Sequence, residues 1–139
     1  MPHVPVRHVF VYGTLRRGGS NDITRLRPAP RLVGSACVPG VLYQIAHYPG
    51  LCLGGADAVP VTGEVYAIEP ALEAVLDAIE GIEPGPHSEY FKRDVTITVQ
   101  GHPLRCLVYE INPDRVRGRR RIPEGDWMDF VFRNASSTL

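Results

Sequence analysis

His8-Val9-Phe10-Val11-Tyr12-Gly13-Thr14-Leu15-Arg16-Arg17-Gly18-Gly19-Ser20 is the stretch on which the fold turns. Its first five residues form a short run rich in apolar, β-branched and aromatic side chains that stops at a glycine, the pattern of a buried strand. Gly13 to Asn21 then carries three glycines, and Asp22 to Leu26 has room for one helical turn before Pro28 and Pro30. The spacing Gly13-x-x-x-x-Gly18 after a strand raises a phosphate-binding loop. Such a loop needs a lysine before its Ser/Thr, where Gly19 stands, and a long following helix that the prolines forbid. What survives is either a bend whose main-chain N–H groups converge on a carboxylate, or a tight surface turn without a ligand.

Outward from this segment, Arg31 to Val38 and Val41 to Ile45 read as strands parted by Pro39-Gly40, with a second turn at Tyr48-Pro49-Gly50. Gly54 to Pro60 is a small-residue connector, and Gly63 to Ile68 is a further strand. At Pro70 the period changes. Leu72, Val75, Leu76 and Ile79 follow helical spacing and end before Gly81, so a helix is predicted there, opened by proline in its first turn. After the polar loop Gly81 to Glu89, Val95, Ile97 and Val99 alternate with polar residues, and Leu104 to Ile111 returns as a hairpin partner across Gly101-His102-Pro103. Trp127 and Phe130 are expected to anchor the tail on the core. Many short strands with one good helix predict an α+β fold: a small mixed-sheet β-barrel with helices packed outside, as a single domain over 1–139 with flexible ends at 1–7 and 134–139.

Fifteen basic and fifteen acidic side chains cancel, so no global field draws the chain to nucleic acid or an anionic membrane. No apolar run approaches the ~18 residues of a membrane span and the amino terminus has no signal-peptide core, so a cytoplasmic location is expected. Cys37, Cys52 and Cys106 form neither a CxxC pair nor a zinc pattern and read as reduced, structural residues in apolar surroundings. The five histidines lack metal spacing, and no metal site is assigned; His47 and His87 lie in loops where a pocket could use them. Arg115, Arg117, Arg119, Arg120 and Arg121 read as a solvated loop rather than an RNA site, because no aromatic residues interleave them.

Among the carboxylates, Glu80 breaks a local rule. It lies about 40° from Leu76 around the helix axis, at the edge of the apolar stripe, and in the last turn where the helix dipole is negative. Burial and the dipole would both raise its pKa, yet many helices simply end in a solvated glutamate. Glu64, Asp77, Glu83 and Glu89 are rivals; Asp77 is about 60° further from the stripe and should be more solvated, whereas the strand of Glu64 also offers it to a cleft.

The run Val9-Phe10-Val11-Tyr12-Gly13-Thr14-Leu15-Arg16-Arg17-Gly18 closely resembles the opening strand and loop of the gamma-glutamylcyclotransferase-like superfamily. The likeness continues in order through Tyr48-Pro49-Gly50-Leu51, Gly63-Glu64-Val65-Tyr66, Leu76-Asp77-Ala78-Ile79-Glu80-Gly81, Phe91-Lys92-Arg93 and Val108-Tyr109, and it points to the branch of small one-domain enzymes acting on gamma-glutamyl amines. This resemblance implies that Glu80 is the acid/base and that Tyr12, Gly13, Thr14 and Leu15 cradle the substrate's α-carboxylate. The reaction it implies closes the glutamyl group to 5-oxoproline and releases an amine. The substrate's own α-amine is the nucleophile, so neither metal nor cofactor is required. The expected partner is a small gamma-glutamyl molecule, with no nucleic acid or membrane, and the expected assembly is a monomer or weak homodimer. A catalytically idle module binding an amino-acid-like ligand is the alternative on the same fold. Two departures from the family pattern stand out: the loop Gly81 to Glu89 is long, and Phe91 replaces a frequent tyrosine, with Tyr90 one place earlier.

Overall fold

A computed structural model describes residues 6–136 of the 139-residue chain. The flexible ends expected at 1–7 and 134–139 therefore lie partly outside the described residues, while Arg7 opens the first strand and Asn134 belongs to the last helix. Seven strands are described: β1 (Arg7–Val11), β2 (Arg31–Gln44), β3 (Pro49–Leu53), β4 (Val59–Ile68), β5 (Tyr90–Val99), β6 (His102–Ile111) and β7 (Arg120–Arg121). Helix α1 (Pro70–Ile79) follows β4, and helix α2 (Trp127–Ser136) closes the described chain.

The strands form one mixed sheet in the order β3-β2-β4-β1-β6-β5, with β7 attached to β2. Only β1 and β6 run parallel; every other pairing is antiparallel. The sheet curls into a half-barrel of the α+β class. Its far ends approach one another closely: a Cβ on Gly34 of β2 would stand 2.9 Å from Val99 of β5, and one on Gly50 of β3 would stand 2.7 Å from Ile111 of β6. Both glycines are places where only a missing side chain lets non-neighbouring strands meet.

Successive side chains of β1 pack on opposite faces, as strand geometry requires. Val9 and Val11 join Leu72 and Leu76 of α1, whereas Phe10 and Tyr12 join Val108, Ile97 and Trp127. Both faces of the central strands are thereby buried, which explains why the opening run is almost continuously apolar.

Helix α1 begins with Pro70 at its first turn and buries Leu72 and Leu76 completely, as the stripe predicts. It closes with Gly81 N–H on Ala78 O at 3.2 Å and Ile82 N–H on Asp77 O at 3.0 Å, with Gly81 at φ +65. This paired closure leaves Glu80 as the C-terminal capping residue.

Four expectations change. The turn of the last hairpin is Gln100-Gly101 rather than Gly101-His102-Pro103, since His102 and Pro103 already pair with Val99 and Thr98. Pro39-Gly40 is no turn: β2 runs through it unbroken, with Pro39 opposite Pro60 so that both missing donors fall on one rung. Gly40 is required there because a Cβ would lie 2.6 Å from Cys52 O. Tyr48-Pro49-Gly50 is not a turn throughout either, since Pro49 and Gly50 already pair in β3. The tail anchors through Trp127 and Phe130, stacked with centroids 5.5 Å apart, but it is also a helix, capped by the Asp126 carboxylate accepting from Asp129 N–H at 3.1 Å.

Candidate active site

Where β1 ends, the chain enters a tightly stitched loop. The Tyr12 hydroxyl donates to Tyr109 O at 2.7 Å and accepts from Leu51 N–H at 3.2 Å, pinning the end of β1 to β6 and β3. Gly13 passes so close to Pro49 that a Cβ would lie 2.6 Å from the ring. The carbonyls of Gly13, Thr14 and Leu15 accept from Arg16, Asn21 and Ile23 N–H at 3.0, 2.9 and 3.0 Å. Among the described residues, the N–H groups of Gly13, Thr14 and Leu15 have no acceptor. Arg16 ties the loop down by pairing with Glu64 and, at 2.9 Å, with Asp126.

These residues wall a cavity of about 380 Å³. Tyr12, Gly13, Thr14 and Leu15 line it from the loop, and Ile79 and Glu80 from the end of α1. His47, Tyr48, Pro49, Glu89, Tyr90 and Tyr109 complete much of the wall. Glu80 and the Tyr12–Leu15 loop are thus brought to one cavity, together with Glu89 and His47, whereas Glu64, Asp77, Glu83 and His87 do not line it. Ile79, the last position of the apolar stripe, is 38% exposed because it faces this space rather than the core.

Glu80 is half-buried, and its carboxyl has no hydrogen-bond or ion-pair partner among the described residues. Burial, and after it the negative charge of Glu89, push its pKa up to about 7. Glu89 differs in being held by the Tyr48 hydroxyl. That hydroxyl is itself raised to about 12, by burial first, then by its bond to Glu89 and the Glu89 charge, against the pull of Arg115 and Arg119.

The other carboxylates are committed elsewhere. Glu64 pairs with Arg16 and accepts from Arg17 N–H at 3.0 Å, and it does not line the cavity. Asp77 pairs with Lys92 at 2.9 Å and accepts from the Tyr109 hydroxyl at 2.7 Å. Glu83 is exposed. Tyr90, not Phe91, supplies the aromatic wall: it is buried, and its hydroxyl donates to Pro49 O at 2.6 Å. Of the cysteines, Cys106 is buried but Cys37 is exposed on β2, against the expected apolar setting.

The residues missed or left undecided by the sequence are Glu89, Tyr48 and Tyr90. Their signal was faint, since Glu89 ends a loop without period and Tyr48 stood out as turn punctuation and as one residue of the Tyr48-Pro49-Gly50-Leu51 likeness, with no role attached.

The sheet and its helices define an α+β half-barrel in which an unpaired carboxyl at a helix end and the Tyr12–Leu15 loop line the same cavity. The family model described as "Gamma-glutamyl cyclotransferase, AIG2-like" matches residues 9–129, and the chain belongs to that family. A protein of Vibrio cholerae named "Putative gamma-glutamylcyclotransferase" is 36% identical over 124 residues, covering 88% of this chain and 96% of that protein. A like-named protein of Halalkalibacterium halodurans is 31% identical over 102 residues, covering 73% and 88%. Among solved structures, an aig2-like protein of Mus musculus superposes with a TM-score of 0.66 at 26% identity, over 80% of this chain and 82% of that one. YkqA of Bacillus subtilis has a TM-score of 0.74 at 22% identity, and the chain spans only 43% of its length, so that likeness speaks to the fold alone.

Proposed function

We propose that the protein cyclises gamma-glutamyl amides to 5-oxoproline and a free amine, with Glu80 as the single acid/base. The observation that carries this reading is one unpaired carboxyl with a pKa of about 7 on the same cavity as the Tyr12–Leu15 turn. The donors of Gly13, Thr14 and Leu15 hold the substrate's α-carboxylate, which presents its α-amine beside Glu80. The amine nitrogen attacks the side-chain carbonyl carbon, closing a five-membered lactam. As the carbon–nitrogen bond to the departing amine breaks, the proton lost by the attacking nitrogen travels on Glu80 to the leaving nitrogen. A carboxyl near neutrality populates both the accepting and the donating form, which suits it to both transfers. Holding the reactant folded supplies much of the rate, because attack within one molecule replaces an encounter between two.

A panel of gamma-glutamyl amides and dipeptides, assayed for 5-oxoproline with the native protein and Glu80→Gln, tests the reading. Turnover that falls by a factor on the order of 10³ or more in the variant is expected. Absence of product from every panel member would favour a binding module, and undiminished turnover in the variant would assign the proton transfers to another group.

A further inference from the structure

A second cavity, of about 360 Å³, adjoins the first, and Tyr48 and Glu89 line both. Arg115, Arg117 and Arg119, all exposed, also line it, with Asp114 beside them. Neither Arg117 nor Arg119 has a carboxylate within ion-pair distance among the described residues, and Arg115 donates to His87 O at 3.1 Å. The rest of the arginine run is occupied elsewhere: Arg121 pairs with Asp57 at 3.3 Å, and Arg120 covers the Phe130 ring at 5.3 Å. Three guanidinium groups against the carboxylates of Asp114 and Glu89 leave the cavity with an excess of positive charge.

Asn112 holds the two walls in register. Its side chain donates to Pro86 O at 2.9 Å and Ser88 O at 3.0 Å, its N–H donates to Glu89 O at 2.8 Å, and its carbonyl accepts from Arg115 N–H at 2.8 Å. The long loop ending at Glu89 and the arginine-bearing loop are thereby one unit, and Asn112 is itself buried.

We infer that Arg115, Arg117 and Arg119 form a subsite for an anionic oxygen group, carboxylate or phosphate, on the departing amine, and that substrates with acidic leaving groups are preferred over neutral ones. The orientation rests on the ring-closure reading: with the glutamyl carboxylate held at the Tyr12–Leu15 turn and its side-chain carbonyl near Glu80, the group beyond the amide passes Tyr48 and Glu89 into the second cavity. Arginine suits this role because its planar fork matches both acids.

Two matched pairs test it: gamma-glutamylglycine with gamma-glutamylglycinamide, and gamma-glutamyl-phosphoethanolamine with gamma-glutamyl-ethanolamine. The charged member of at least one pair should have a kcat/KM higher by about tenfold or more, mostly through KM, and the preference should weaken with added salt. The pair that shows it identifies the acid. In Arg117→Gln/Arg119→Gln the ratio should fall toward one, and the Lys/Lys variant should restore part of it. Equal kcat/KM within both pairs, or a ratio untouched in the Gln variant, overturns the subsite while leaving ring closure standing. Should no compound be turned over, calorimetric affinities of the same pairs for the native protein and the Arg variants decide the subsite separately, since binding does not require turnover.

Discussion

Glu80 and Glu89 face one cavity, and the charge of Glu89 is the second cause, after burial, of a Glu80 pKa near 7. An acid whose native pKa lies above its ordinary 4.5 binds its proton more tightly folded than unfolded. Below about pH 4.5 both states are protonated and stability is unaffected. Between about 4.5 and 7 the unfolded chain ionises first and stability declines; above 7 the loss is complete.

Glu80→Gln cannot titrate and should escape that loss. At 1.36 kcal/mol per pKa unit, the variant is expected to gain stability on the order of 3 kcal/mol or less at pH 8 and little at pH 4.5. Melting temperatures of both proteins across this range measure it. A difference that does not widen with pH would place the Glu80 carboxyl in water-like surroundings.

The pH dependence of kcat/KM should rise through about pH 7 as Glu80 ionises. Glu89→Gln removes a like charge and should move that limb to lower pH, still above the ordinary glutamate range because burial is the first cause. His47 also lines the cavity, so the profile is repeated in His47→Gln, where the limb should stay.

How far these features were legible depends on whether local pattern or tertiary contact decided them. The place of Glu80 was legible because a helical stripe ending at Gly81 fixes both its face and its position at the helix end, whereas its choice among the carboxylates came from the family resemblance. Glu89 was not, because its position comes from Asn112 gripping a proline-rich loop, a contact 23 residues away in sequence. Pro39-Gly40 carries turn chemistry, yet the strand continues because Gly40 is needed for its approach to Cys52 and the Pro39 donor is not missed opposite Pro60. The final helix had a readable signal, Asp126 before Trp127, but its mostly exposed length makes the apolar stripe short.

Arg16 separates anchoring from chemistry at the loop. Its side chain is 13% exposed and bridges Glu64 and Asp126, joining the loop to β4 and the start of α2. Arg16→Ala strands two carboxylates and should cost about 1–3 kcal/mol in denaturant unfolding. Glu64→Gln should weaken the same anchor while leaving the acid limb of the pH profile in place. A limb that vanishes in Glu64→Gln would make Glu64, not Glu80, the titrating group.

Gly13→Ala tests the proposed substrate role of the Tyr12–Leu15 turn by steric pressure alone. The φ of Gly13 is not in the left-handed region, so the backbone itself admits alanine. The new Cβ would lie 2.6 Å from Pro49 Cγ and 2.8 Å from Cδ. The Pro49 ring cannot readily retreat, because its carbonyl accepts from the Tyr90 hydroxyl at 2.6 Å and its residue pairs with Gln44 in the sheet. The loop must move instead, carrying the three unpaired N–H groups with it. Overpacking of this kind costs about 1–3 kcal/mol, and a displaced carboxylate cradle should raise KM by roughly tenfold or more. Pro49→Ala removes the opposing atoms, so Gly13→Ala/Pro49→Ala should recover part of the loss. A double-mutant cycle in kcat/KM reads this directly: strongly non-additive effects are expected, and simple additivity would mean that the Gly13–Pro49 contact does not set the turn.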